Sequence, residues 1–228
     1  MTLRLIDRGR PAITRHQVYV TLREAITTAH LVPGRRLSEN ELARQLGVSR
    51  TPIREALALL REERLVAIVP QLGTFVTRVS PAAVADAAFV REALECSAVR
   101  LAAERIDAAA LGELQANLAA QEQADAAAFD GLDDDLHRTL CEAGGHPIAW
   151  SLAHRANGHL DRIRRLSLPD PEYLREMVDE HHDVVAAVAR RDADAAERAL
   201  RHHLRMVPSL LGALRERHPD YFEQEEAA

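Results

Sequence analysis

Apolar residues recur at helical spacing at Val18, Leu22, Ala25, Ile26 and Ala29, which predicts a first helix that Pro33-Gly34 stops soon afterwards. A short second helix is predicted over residues 38–46, where Ser38 followed by Glu41 makes a capping-box pattern. Gly47 stands where a helix end commonly needs positive φ. Ser49 or Thr51 can cap a third helix, and Pro52 is tolerated in its first turn. On that helix Ile53, Ala56, Leu57 and Leu60 form one apolar stripe, while Arg50 and Arg54, four apart, share an adjacent face near the N-terminal end. Residues 65–70 are apolar and β-branched, Gln71-Leu72-Gly73 can turn the chain, and residues 74–79 read as a return strand. A helix, a tight turn, a second helix and a two-stranded wing make a winged helix-turn-helix domain over residues 13–79.

Ser80-Pro81 can cap and open a further helix, and from there the apolar spacing stays helical. Phe89, Ala93, Ser97 and Arg100 lie near its start, and Gly144-Gly145, Pro147, Pro169-Asp170-Pro171 and Asp192 punctuate the later part. The expected fold is mainly α, with an antiparallel all-α bundle of about six or seven helices over residues 80–214 and a flexible tail over residues 215–228.

Charge separates the same two parts. Residues 1–78 hold 13 arginines against 7 acidic residues, a balance of +6, and the remainder holds 16 against 28, a balance of −12. A basic head on an acidic body fits nucleic-acid binding by the head. Arginines at the start of an exposed helix can reach guanine O6 and N7 in the major groove. The chain has no lysine, which reads as compositional bias alongside the many alanines.

A length of 228 residues accommodates two domains with a substantial second core. No run approaches the roughly 18–20 apolar residues that span a bilayer, and the first residues lack the apolar stretch of a signal peptide, so the expectation is a cytoplasmic protein without a membrane partner. Cys96 and Cys141 show no metal or redox spacing and are expected as buried thiols. Aromatic residues make up 4%, too few for a platform that stacks single-stranded bases.

Within the second part, Asp133 and His137 are four apart beside Leu132, Leu136 and Leu140, at the edge of an apolar stripe. His181 shares a face with Met177, Val178, Val184, Val185 and Val188, and His203 lies between Leu200 and Val207. His182 and His202 are rotated away from these faces, and His154 and His159 are read as non-ligands. Three imidazoles and a carboxylate aimed into a bundle suit a divalent metal. Each histidine taken singly is better explained by a separate core hydrogen bond; the joint pattern reverses that weighing.

The run P-G-R-R-L-S-E-N-E-L-A-R-Q-L-G-V-S-R-T-P-I-R-E-A-L, followed by L-V-A-I-V-P-Q-L-G-T-F-V, resembles the GntR family of bacterial transcriptional regulators. The remainder resembles the FadR-type FCD effector domain, so the likeness covers residues 13–210. It implies that Arg50 and Arg54 contact bases, that Ser49 and Thr51 contact phosphates, and that Gly73 at the wing tip approaches the minor groove. Some members carry arginine where this chain has Asn40, so Asn40 receives no role. The metal-binding branch of the FCD class shows D-x-x-x-H, then an E-H pair, then H-L; here these fall on Asp133 with His137, Glu180-His181 and His203-Leu204. The implied cofactor is a divalent ion: zinc, nickel or manganese. Arg91 matches an arginine that often lines the FCD pocket and would pair with an effector carboxylate; a surface salt bridge to Glu95 explains it equally well. His146 stands where members often carry asparagine, which either alters the pocket or caps the next helix. The likeness implies a homodimer on a palindromic operator, controlled by a small organic acid, and a repressor in function. A metal sensor ranks second. A metal-dependent hydrolase ranks a distant third, because no separate carboxylate stands out as general base and a DNA-reading head would be superfluous.

Overall fold

The computed structural model describes residues 14–224. They form two compact units, one of residues 14–81 with 215–224 and one of residues 82–214.

In the first unit α1 (Arg15–Thr27) opens on a capping box between Thr14 and Gln17. Its buried face carries Val18, Leu22, Ala25 and Ile26; Ala29, expected on the same stripe, lies past the helix end with φ 57°. The two-residue β1 (Arg36–Leu37) follows. Ser38 caps α2 (Glu39–Leu46) by accepting from the Glu41 amide, while the Glu41 carboxylate accepts from Gln45 and does not close the box. Gly47 ends α2 at φ 69°, the left-handed conformation its position predicts. Next come α3 (Arg50–Glu62), β2 (Val66–Val69) and β3 (Gly73–Val76). The sheet is antiparallel in the order β1-β3-β2, with Val69 opposite Gly73 at the hairpin end. Ile53, Ala56, Leu57 and Leu60 of α3 pack into a core with Val18, Leu22, Leu42, Leu46 and Val76. Burying side chains of this size contributes roughly 1.5–3 kcal/mol each, which fixes the orientation of α3 and turns its arginines outward.

The return strand is shorter than residues 74–79. Val79 instead forms a parallel bridge to Phe222, itself 1% exposed. The tail expected from residue 215 is therefore structured as far as it is described: α11 (Leu211–Arg217) runs into it, a 3₁₀ turn spans Pro219–Tyr221, and Glu223 donates to the Val79 carbonyl. Phe222 holds this segment by burying an aromatic ring; a sequence of mostly charged neighbours concealed that.

The second unit is helical: α4 (Pro81–Arg105), α5 (Ala108–Gln121), α6 (Ala126–Ala143), α7 (Pro147–Ala156), α8 (Gly158–Ser167), α9 (Pro171–Ala189), α10 (Ala193–Ser209) and the start of α11. Asp107, Asp125, Asp170 and Asp192 cap α5, α6, α9 and α10 through side-chain acceptors. The main core joins Val99, Leu114, Leu118, Leu136, Leu140, Val184, Val188 and Leu200, which brings the inward faces of α4, α5, α6, α9 and α10 to one centre.

Candidate nucleic-acid interface and metal centre

Ser49 is the N-cap residue of α3, yet its side chain makes no capping hydrogen bond. Ser49, Arg50, Thr51 and Arg54 are all exposed, clustered at the N-terminal end of α3 opposite its buried stripe. Both arginines reach back to α2: Glu39 Oε2 accepts from Arg50 Nη2 at 2.9 Å and Nε at 3.3 Å, and from Arg54 Nε at 2.7 Å. Slight burial raises the Glu39 pKa, but the two guanidiniums more than offset it and the net direction is down. Gly73 has φ 120°, and a Cβ there would meet Arg36 Nε at 3.1 Å, so a side chain at the wing would be strained and would displace Arg36. Asn40 is exposed on α2.

The second unit gathers Asp133 and His137 from α6, His181 from α9 and His203 from α10, each offering a ligand atom within 4.8 Å of the others. All four are at most 2% exposed. His203 Nε2 lies 3.2 Å from His137 Nε2 and 3.1 Å from His181 Nε2. Asp133 Oδ1 sits 3.4 Å from His181 Nε2 and has no hydrogen-bond partner.

The outward ring nitrogens explain this convergence. His137 Nδ1 faces Glu95 Oε2 at 2.7 Å, His181 Nδ1 faces Gln121 Oε1 at 2.7 Å, and His203 Nδ1 faces Glu180 Oε2 at 3.0 Å. Gln121 Oε1 only accepts, so His181 carries its proton on Nδ1 and turns a lone pair inward. The Glu95 anion beside His137 and the Glu180 carboxyl beside His203, raised to about 7 by burial, favour the same tautomer when ionised. Three lone pairs and a bare carboxylate oxygen, buried together, repel one another unless a cation lies among them. The cluster can hold a metal ion, and these residues fit one. Arg164 of α8 grips the other oxygen of Asp133 and also reaches Asp130 Oδ1 at 2.7 Å. Phe129 stacks on His181 and Trp150 on His137.

Sequence reasoning missed Gln121, Arg164 and the orienting role of Glu95. A signal for Gln121 exists: it continues the Leu114 and Leu118 stripe as its one polar member. Arg164 has none, because the charges of α8 read as a solvated face in sequence although the helix is buried around most of its girth.

Arg91 is 4% exposed and donates to Glu95 from Nε at 2.6 Å and Nη2 at 3.3 Å. Its partner is the one the spacing allows, but the pair is buried and not on the surface as expected. Burial pushes the Glu95 carboxyl up, and Arg91 and His137 more than reverse this, holding it at about 2. Glu95 is thus an anion at neutral pH; it accepts from Arg91 and faces His137 Nδ1. His146 is exposed at the N-cap position of α7 without a side-chain capping bond. His182 pairs with Glu122 and His202 with Glu180, outside the cluster. Cys96 and Cys141 are buried free thiols, pushed up to about 12 by burial.

Burial above all holds His137, His181 and His203 below the ordinary histidine value. In the unfolded chain each binds a proton below about pH 6.5, while in the folded chain each resists protonation. Their contribution to stability is therefore present above pH 6.5 and lost as pH falls toward the folded values. The loss reaches up to about 1.4 kcal/mol per pH unit for each histidine that takes up a proton on unfolding. Asp134 and Glu180, raised by burial to about 8 and about 7, act in the opposite sense over this range. Urea midpoints of chelator-treated protein should therefore fall between pH 7 and 5 by less than the histidines alone would give; a rising midpoint would contradict the neutral imidazoles.

No helix among the described residues is long and apolar enough to cross a membrane. Residues 14–76 match the family model for bacterial regulatory proteins of the gntR family, and residues 86–206 match the FCD domain. An HTH-type transcriptional regulator in an unstable DNA locus of Streptomyces ambofaciens is 42% identical over 215 residues, covering 93% of this chain and 91% of the relative. The HTH-type transcriptional repressor RspR of Escherichia coli is 33% identical over 213 residues, covering 92% and 93%. The solved structure of E. coli McbR/YncC superposes with a TM-score of 0.76 at 25% identity, covering 90% of this chain and 99% of that one.

Proposed function

The chain belongs to the GntR family of bacterial regulatory proteins and carries an FCD domain, and from that premise we propose that it is a repressor whose grip on its operator is set by a small organic acid bound at a divalent-metal centre. It is a transcriptional regulator by family and fold, not an enzyme. The carrying observation is the exposed end of α3, where Arg50 and Arg54 stand clear of the core beside two hydroxyls free of capping duty. The arginines would read guanine edges, Ser49 and Thr51 would accept phosphate contacts, and Gly73 would let the wing backbone enter the minor groove. One such head reads a short half-site, so the reading includes a homodimer on a palindrome, working in the cytoplasm where the DNA is.

Asp133, His137, His181 and His203 would hold the ion; zinc, nickel and manganese all accept this nitrogen and oxygen set. When bound, it supplies an anchor for an effector carboxylate. Arg91 neutralises Glu95 and would turn its remaining N–H groups to that carboxylate. The effector would act by binding two head arrangements with different affinity. Complete burial of the four ligands, each ring already oriented, favours a resident ion over a reversible metal signal.

The test is fluorescence anisotropy on the DNA flanking the protein's own gene, across a salt series, with a scrambled duplex as control. Binding above the control should weaken with salt by about 0.9 logarithmic units per phosphate contact for each tenfold rise. Equal binding to both duplexes, with metal present and removed, would overturn the proposal.

A further inference from the structure

We propose that Glu39 is a positioning and specificity-determining residue for DNA recognition: one carboxylate oxygen clamps both base-reading arginines and keeps them from being captured by phosphates. This rests on the DNA-reading role proposed for α3. The observation is that all three donors, Nε and Nη2 of Arg50 and Nε of Arg54, converge on Glu39 Oε2. Glu39 is separated from them by 11 and 15 residues, so only the helix-turn-helix turn brings the first residue of α2 against the first turns of α3. The carboxylate sits at a helix N-terminus, where negative charge is favoured. Its side chain is 31% exposed, and those of Arg50 and Arg54 are 53% and 59% exposed, so the clamp lies at the surface the DNA must meet.

Two consequences follow from charge and geometry. Arginine side chains are long and rotamer-rich, and anchoring both to one fixed oxygen removes that freedom before DNA arrives. Arg54 is held through Nε alone, which leaves its terminal nitrogens for a second acceptor. The identity of that acceptor then matters. Guanine O6 and N7 are neutral and share the guanidinium with Glu39 without penalty. A phosphate is an anion and is repelled by the Glu39 carboxylate. The trio carries +1 with Glu39 and +2 without it, so removing the carboxylate strengthens attraction to any backbone and loosens the aim at bases.

The test uses the full chain and a duplex enriched from a random pool by the wild-type protein, with a scrambled version as control. Glu39→Gln should bind the scrambled duplex more tightly, with a salt slope steeper by about 1. Discrimination between the two duplexes should fall about tenfold. A merely structural role would act with the opposite sign, weakening binding to both duplexes, and that result would overturn the inference. So would unchanged discrimination in Glu39→Gln. If the wild-type chain enriches no sequence, the DNA-reading role itself fails and the inference falls with it.

Discussion

His181→Ala should abolish retention of a stoichiometric metal ion. His181 is fully buried, its Nε2 sits beside both His203 and Asp133, and its Nδ1 is held by Gln121. Removing the ring deletes one of four ligands and leaves the Gln121 carbonyl without its donor. Loss of an orienting partner alone typically weakens metal binding about 10–100-fold, so loss of a ligand should exceed that. Metal content after desalting reports the first effect. Thermal unfolding reports the second: an ion present at 1,000 times its dissociation constant contributes about 4.1 kcal/mol, which a chelator removes from the wild-type chain. In His181→Ala the chelator should shift the transition little, because no ion remains to be removed. One equivalent of metal retained by the variant would sink the ligand assignment.

Arg50→Ala and Arg54→Ala should each weaken binding to the preferred duplex by about 1–3 kcal/mol and relax base preference at the position each reads. The two side chains share Glu39, so their losses are coupled: removing one leaves the other as the sole partner of that carboxylate. The double variant should retain only salt-sensitive, sequence-tolerant binding through the remaining basic residues of the head. Ile53, Ala56, Leu57 and Leu60, which seat α3, are untouched, so the unfolding midpoint should stay close to that of the wild type. Unchanged discrimination between preferred and scrambled duplexes in the double variant would remove α3 as the reading element.

Much of this molecule was legible along the chain because its local signals agree. The α3 stripe, Gly47 in the left-handed conformation and the hairpin around Gln71-Leu72-Gly73 all depend on neighbours within a few residues. The three histidines on apolar faces were visible for the same reason, since helical period alone turns His137, His181 and His203 inward. Signals failed where the partner is remote. β1 is two residues long, too short for any alternation, and exists because β3 pairs with it. Phe222 is buried through a bridge to Val79, 143 positions earlier in the chain. The buried charges of α8 look like a solvated face in sequence; Asp130, Asp133 and Asp134 on α6, with Asp161 on α8 itself, make the burial of Arg164 tolerable.

Which elements form and which faces they bury follow from the chain alone, because backbone geometry and the period of apolar side chains set them, and the same period exposes Arg50 and Arg54 and turns His137, His181 and His203 inward. Tertiary packing brings the candidate ligand atoms of Asp133, His137, His181 and His203 from three helices within 4.8 Å of one another, and sets Glu95, Gln121 and Glu180 against the outward ring nitrogens. It alone decided that Glu39 joins Arg50 to Arg54. The physical reason is that hydrogen bonds and ion pairs act over about 3 Å in space, whatever the separation along the chain.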